Sequence, residues 1–471
     1  MKTIFNRLGL FMLLFTVWSC EKQLNELPAN QKVGESIIID AKSAQVALNG
    51  IYYKFADCGI DYYDIPSTQA CRYYQIIPTG LFNIIIDWQG AEFPPNAIRA
   101  NDYSARSMWA YCYGVINAAN GVITQMNRNP DIPFPGNRRN EIIGEATFLR
   151  AYGHYLLLRM FAHHFDYNSN QGVLLRTEPT NVDNIAKKRS NVRDSYQNIL
   201  DDLNFAINNC PIDNPNYYVN KWIAKGLKIR ILMMRGQGTD YADAAGLALD
   251  IINNGPYDLE NDVQDIFKTK GLRSNEVMFG IIPKPNQTST LEQYYYYGAE
   301  YNPSDILLDI LDGDPRESWV ITDVDDELLI TKYIDGDDLE SDEVVESVYI
   351  MRLSEIYLLR AEALVRSGGN IAEAKQLVKD VMDKAGVTDF SVIDDAATND
   401  ELLLEITKEA IRSFFCENGL ETEFMSRLPL TTLQTLFPFL SSKNYIVLPI
   451  PADEFRLNPT IGDQNEGYSK N

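Results

Sequence analysis

The sequence has little of what catalytic and metal chemistry draws on. Its 471 residues include three histidines, His154, His163 and His164. The adjacent pair cannot share one helix face as an i, i+4 metal pair does, so helix-end or packing roles are expected of them. No G-x-S-x-G elbow, H-E-x-x-H pair or Walker loop occurs, and we therefore expect no catalysis, no metal and no cofactor. Basic residues are short as well: 42 Lys plus Arg stand against 65 Asp plus Glu, a net charge of -23. Neutralising a phosphate backbone needs a basic surface, so nucleic acid is excluded as an expected partner. Cysteine is sparse. Beyond Cys20 there are Cys58, Cys71, Cys112, Cys210 and Cys416, an odd set without C-x-x-C spacing, which argues against a zinc cage. Cys58 and Cys71 are the nearest pair, and either close a loop or stay two separate thiols. After the first twenty residues no apolar run approaches the ~18 residues of a membrane span.

What is present is enough for a large core. Hydrophobic residues make up 45% and aromatics 11%, with a mean hydropathy of -0.23, the composition of a soluble globular body. The amino terminus carries Lys2 and Arg7, then an apolar run from Leu8 to Trp18, then Ser19 and Cys20. That run is too short to span a bilayer and reads as a cleaved signal over residues 1–19. A small residue before cysteine is also the pattern of a bacterial lipoprotein cleavage site, which makes Cys20 the expected lipidation point.

Helical periodicity recurs along the chain. Residues 41–55, 109–126 and 141–164 show it, the last with Ile142, Ala146, Leu149, Gly153, Leu156, Leu157 and Met160 on one apolar face, where small Ala146 and Gly153 admit a close neighbour. Residues 221–235 and 240–253 predict a helical hairpin turning at Gly236 and Gly238. Residues 349–367 and 371–384 predict a second one turning at Gly368 and Gly369. Between the two hairpins, residues 276–282 read as a strand, residues 323–346 are densely acidic, and 335–343 read as a solvated acidic loop. The segment from Thr431 onward lacks helical period and is expected to be extended.

Five separated stretches resemble the SusD/RagB outer-membrane lipoproteins of Bacteroidetes. They are Gly144 to Phe161, Gly172 to Pro179, Ser195 to Ile207, Tyr349 to Gly386 and the ending Val447 to Tyr468. The fourth is the most specific, carrying Leu353, Glu355, Ile356, Tyr357, Leu358, Arg360, Ala361 and Glu362. The ending has paired prolines, an Asn-Pro and a Gln-Asn-x-Gly-Tyr. One departure is Asn418, which stands between Glu417 and Gly419 where the family has Glu-Gly. The resemblance implies an all-α fold of tetratricopeptide-like helix pairs in a right-handed superhelix, packed against an irregular, loop-rich half with a few short strands. Residues 20–471 would form this single body, with the helical framework at about 41–255 and 349–420 and the ligand-facing half at about 56–105 and 256–348. The resemblance further implies a lipid-anchored, surface-exposed outer-membrane protein that captures oligosaccharide for a SusC-like TonB-dependent transporter. A peptide-binding lid of the RagB type, or a helical scaffold for the transporter that binds no ligand, are its alternatives.

Binding a saccharide calls for flat aromatic faces against the C–H surfaces of sugar rings and for amides or carboxylates against the hydroxyls. Two stretches supply both. One spans residues 73–88, with Tyr73, Tyr74, Asn83, Asp87 and Trp88. The other spans residues 293–301, with Gln293, Tyr294, Tyr295, Tyr296, Tyr297 and Tyr301. In an extended run alternate rings face opposite sides, so Tyr295 and Tyr297 would share one face. We take Tyr73, Tyr74, Trp88, Tyr295, Tyr297 and Tyr301 as candidate ligand contacts, with packing of the irregular half as the competing role for each. Trp109, Tyr152 and Tyr357 lie on helical faces and are expected in the core.

Overall fold

The computed structural model describes residues 37–57, 80–84, 99–282, 301–333 and 347–470. Several helices begin where a side chain caps them. Asp40 accepts from the Ser43 amide at 2.7 Å ahead of α1, Ala41–Asp57. The next two helices are α2, Tyr103–Arg128, and α3, Arg138–Phe161. Asn191 caps α4, Val192–Asn209, and Asn220 caps α5, Lys221–Arg235, accepting from the Trp222 and Ile223 amides. α5 ends at Gly236 with φ 56°, and α6, Asp240–Asn254, returns alongside it. Each helix from α1 to α6 packs on the next.

The chain then leaves the stack and returns about a hundred residues later. The excursion carries β2 (Val277–Ile281), β3 (Tyr301–Pro303), α7 (Asp305–Leu311), α8 (Glu317–Val320), β4 (Ile321–Val324) and β5 (Glu327–Ile330). It ends in β6, Val348–Arg352, which pairs antiparallel with β2 and runs straight into α9, Leu353–Ser367. α9 packs against α6, so the helical stack is continuous in space although interrupted in sequence. Gly368, at φ 71°, turns α9 into α10, Ile371–Lys384. The short α11, Ser391–Asp394, precedes α12, Asn399–Phe414, which a Thr398–Glu401 capping box starts and which packs on α9. Three short helices follow: α13 (Leu420–Arg427), α14 (Leu430–Leu436) and α15 (Ala452–Leu457).

The structure corrects three readings of the sequence. Residues 349–352 are strand, not the start of a helix, because β2 offers them an edge and both strands are buried along their length. Within the acidic stretch, residues 321–330 form a hairpin whose turn residues Asp325 and Asp326 take φ 55° and 68°, the left-handed geometry of a two-residue turn, while the solvated loop expected at 335–343 lies outside the described residues. The segment after Thr431 contains α14 and α15, each too short to display a helical period. Finally, α3 is buried on nearly every side and not along one stripe, since α1, α2, α4 and the closing segment surround it. Its small residues do admit neighbours: a Cβ on Gly153 would lie 2.7 Å from Ile116 Cγ1 of α2, and one on Gly144 would lie 2.9 Å from the Cys210 amide nitrogen.

The interior holds ion pairs as well as hydrocarbon. Arg352 donates to both carboxylate oxygens of Glu417 at 2.9 and 2.8 Å and to the Ser413 carbonyl at 2.9 Å, and also pairs with Glu276. Lys332 joins Glu417 at 3.0 Å and donates to the Ser413 and Phe415 carbonyls. Arg230 forks onto Glu355, and Arg427 and Arg366 share Glu362. All of these acids are buried. Burial pushes Glu417 up, but the charges of Arg352 and Lys332 outweigh it and hold the carboxyl below its ordinary value. Asn418, the departure from the family pattern, donates to the Tyr349 and Ile350 carbonyls at 3.3 and 2.7 Å and so fastens this corner to β6. The terminal Gln-Asn-x-Gly-Tyr is a clasp: Gln464 bonds both backbone groups of Ile450, and Asn465 reaches the Phe161 and Leu448 carbonyls while accepting from Arg189.

Candidate functional site

The two aromatic stretches lie more than two hundred residues apart in sequence, and one structural element joins them. β1, Phe82–Ile84, lies within the first stretch, and β3 begins at Tyr301, the last residue of the second. They pair antiparallel, Phe82 opposite Pro303, Asn83 opposite Asn302 and Ile84 opposite Tyr301. In that register Ile84 and Tyr301 form one end of the ribbon.

The ribbon is seated from several sides. Leu81 is fully buried and its carbonyl accepts from the Ser304 amide at 3.0 Å. Gly80 turns at φ 66°, where a Cβ would strike the Phe439 ring at 2.3 Å. Asn302 donates to Glu327 of β5 at 2.8 Å, which ties the ribbon to the β4–β5 hairpin. Ser304 caps α7, and α7 packs on α12, where Arg412 Nε donates to the Ile310 carbonyl at 2.8 Å. Beneath α7, the buried Arg316 forks onto Glu409 at 2.7 and 2.9 Å and onto Asp314 at 2.7 and 2.8 Å. Burial pushes Asp314 up, but Arg316 outweighs it and holds this carboxyl below its ordinary value. The ribbon thus stands on a base of fixed charge pairs.

Of the candidate contacts, Tyr301 is placed by the ribbon as the partner of Ile84. Tyr73, Tyr74, Trp88, Tyr295 and Tyr297 lie outside the described residues, as do Cys20, Cys58 and Cys71. Trp109 and Tyr152 are buried in the core, and Tyr357 is half-buried against it. Sequence reasoning missed Asn302 and Glu327, which hold the ribbon in place. No local signal pairs residues that far apart in sequence.

Two open grooves offer other surfaces. One of about 440 Å³ is lined by Asn214, Asn216, Asn220 and Tyr257, but its amides are spent on structure. Asn216 holds the Leu272 and Val277 carbonyls, Asn214 holds the Val219 carbonyl, and Asn220 caps α5 and donates to Tyr257. The other, about 610 Å³, lies on α4, α5 and α6 and has no aromatic lining. The histidines are structural: His154 Nε2 accepts from the Arg176 amide, and burial drives His154 and His164 down to about 3, so both stay neutral. Among the described residues no group of three His, Cys, Asp or Glu side chains converges as a metal site, and no helix is long and apolar enough to cross a membrane.

Comparison with known proteins agrees with this architecture. Residues 67–232 match a family model described as "Starch-binding associating with outer membrane", and residues 325–425 match that of the SusD family. The chain belongs to the SusD/RagB family. A SusD-like protein of Bacteroides ovatus is 25% identical over 202 residues, a match that takes in 41% of this chain and 36% of that relative. Among solved structures, a SusD superfamily protein of Bacteroides thetaiotaomicron superimposes with a TM-score of 0.75 at 23% identity, covering 91% of this chain and 100% of its own. A putative sugar binding protein of Bacteroides vulgatus gives 0.75 at 20% identity over 92% and 100%, and NanU of B. fragilis gives 0.73 at 17% over 94% and 100%. These structural likenesses speak to the fold. This SusD/RagB member shares the mostly helical framework with few short strands, and its family is described as associated with the outer membrane.

Proposed function

We propose that this SusD/RagB member is a glycan-binding lipoprotein of the cell surface, lipidated at Cys20, that captures oligosaccharide without turning it over and delivers it to a SusC-like TonB-dependent transporter. The observation that supports the reading is the β1–β3 ribbon, which pairs Phe82–Ile84 of the first aromatic stretch with a strand that begins at Tyr301, the last residue of the second. Trp88 and Tyr297 each stand four residues along the chain from the ribbon end formed by Ile84 and Tyr301. Their rings supply stacking faces, and Asn83, Asp87 and Gln293 supply hydroxyl partners from the same two stretches. A rigid support matters because a ligand held by a few stacked rings loses affinity when the rings must first be ordered.

The test is titration of the wild-type chain and of Trp88→Ala, Tyr295→Ala and Tyr297→Ala with a bound glycan. Removing a stacking face costs about 1.5 kcal/mol or more, a loss of roughly tenfold in affinity per ring that contacts sugar. Unchanged affinity in all three, with the fold intact, would return these rings to a packing role.

A further inference from the structure

Charge is distributed unevenly around the β1–β3 ribbon. Neither aromatic stretch contains a lysine or arginine: residues 73–88 carry Asp87 as their only charge, and residues 293–301 carry Glu300. The segment that begins at β3 goes further. Residues 301–333 hold nine Asp or Glu against two cations, Arg316 and Lys332. Both cations are buried and engaged, Arg316 by Asp314 and Glu409 and Lys332 by Glu417. Seven of the nine acids are exposed, and none of those seven forms an ion pair among the described residues.

Four of the seven, Asp323, Asp325, Asp326 and Glu327, crowd the turn of the β4–β5 hairpin. Val324 pairs with Glu327 across the turn, and the Asp326 amide donates to Asp323 at 3.1 Å, so ordered backbone holds these acids together. The turn reaches the ribbon directly. β5 packs on β3, and Glu327 accepts from Asn302 Nδ2 at 2.8 Å. Asn302 stands opposite Asn83, is 9% exposed, and has an Oδ1 with no hydrogen-bond partner among the described groups. Cations on neighbouring elements do not offset this charge. Lys268 donates to the Thr331 carbonyl at 2.6 Å, at the open end of the hairpin and not at its turn. Arg412 of α12 is engaged by the Ile310 carbonyl, Glu409 and Asp314.

We propose that this hairpin turn sets the specificity of the ribbon site: Asp323, Asp325, Asp326 and Glu327 make it accept glycans that are uncharged or carry protonated amines and reject those that carry carboxylate or sulfate. An anionic group brought within about 10 Å of several unpaired carboxylates is repelled by their summed field. Holding a uronate or a sulfate calls for Arg or Lys side chains free to fork onto it. The ribbon and the hairpin turn contribute none, and the two cations of residues 301–333 are already committed inside. The inference rests on the glycan-capture reading and names the charge class of its ligand.

The test is calorimetric titration of the chain from Glu21 onward with neutral polysaccharides (starch, xyloglucan, galactomannan), with chitosan oligomers, and with polygalacturonate and chondroitin sulfate. Saturable binding is expected among the neutral or amine-bearing glycans and not among the anionic ones. The glycan that binds is then carboxymethylated and titrated again. At about 20 mM salt the carboxymethyl form is expected to bind about fivefold more weakly than its parent, and the gap to fall below about twofold near 1 M salt, where screening acts within ~3 Å. Asp323→Asn/Asp325→Asn/Asp326→Asn is expected to close most of the same gap at low salt. Asparagine tolerates the left-handed backbone of this turn, circular dichroism checks the fold, and the gap is a ratio measured on one protein. Saturable binding of polygalacturonate or chondroitin sulfate would overturn the inference and leave glycan capture standing. So would a carboxymethyl form that binds as well as its parent, or a gap that stays the same at high salt or in the asparagine variant. No binding of any glycan by the folded protein would overturn the capture reading and the inference with it.

Discussion

Glu421 is the most exposed point in the energetics of the interior. It sits in the first turn of α13, completely buried, and neither carboxyl oxygen has a hydrogen-bond partner among the described groups. Burial pushes it up to about 8 from an ordinary 4.5, with the nearby Glu417 charge adding to the rise and Lys332 and Arg159 only partly opposing it. The folded protein therefore keeps this proton where the unfolded chain releases it. Its contribution to stability is complete below about pH 4.5 and is lost progressively as pH rises towards 8, by up to about 5 kcal/mol at 1.36 kcal/mol per pH unit. Glu421→Gln keeps the shape and removes the titration. Near pH 4.5 the variant and wild type should melt together, and the variant should gain steadily up to pH 8, by roughly 5 °C given an unfolding entropy of about 1 kcal/mol/K for a chain of this length. Thermal melts at half-unit pH steps read this directly. A gap between the two proteins that does not change with pH would refute the assignment of a neutral, unpaired Glu421.

Three further outcomes are expected. Arg352→Ala leaves buried Glu276 without a cation and buried Glu417 with Lys332 alone, and should cost about 3–5 kcal/mol in denaturant unfolding, whereas an exposed pair such as Arg106–Asp453 should cost under about 1. Gly153→Ala drives a methyl into Ile116 of α2 and should cost about 1–3 kcal/mol, while alanine at Gly121, where a Cβ meets nothing within 4 Å, should be neutral or stabilising. Cys20→Ala should move the protein from the membrane fraction to the soluble fraction, and a variant that stays bound would refute lipid anchoring there.

How much of this was legible in the sequence depended on the range of the interaction. The helices of the stack are local statements: apolar residues at helical spacing, Asn220 before α5, and Gly236 and Gly368 behind α5 and α9, so they could be read directly. β6 could not be separated from α9, because residues 348–359 are mostly apolar, interrupted only at Arg352, Ser354 and Glu355, and only the distant β2 decides where strand gives way to helix. Nothing local in the sequence places the charged residues Arg352, Glu417, Glu355 and Arg230 inside, and it is their pairing across 65 to 125 residues that does. The candidate site divides in the same way. Its aromatic composition is visible in two stretches of sequence, but the three residue pairs that join β1 to β3, and Asn302 reaching Glu327, have no local signature.

The measurement that bears most directly on the central claim is calorimetric titration of the chain from Glu21 onward against plant, host and microbial polysaccharides and a peptide digest. The account predicts saturable binding to one class of glycan with no release of shorter products, weakened when Trp88 or Tyr297 is replaced. Binding of the digest alone, cleavage of a glycan, or no binding to anything in the panel by a correctly folded protein would contradict it.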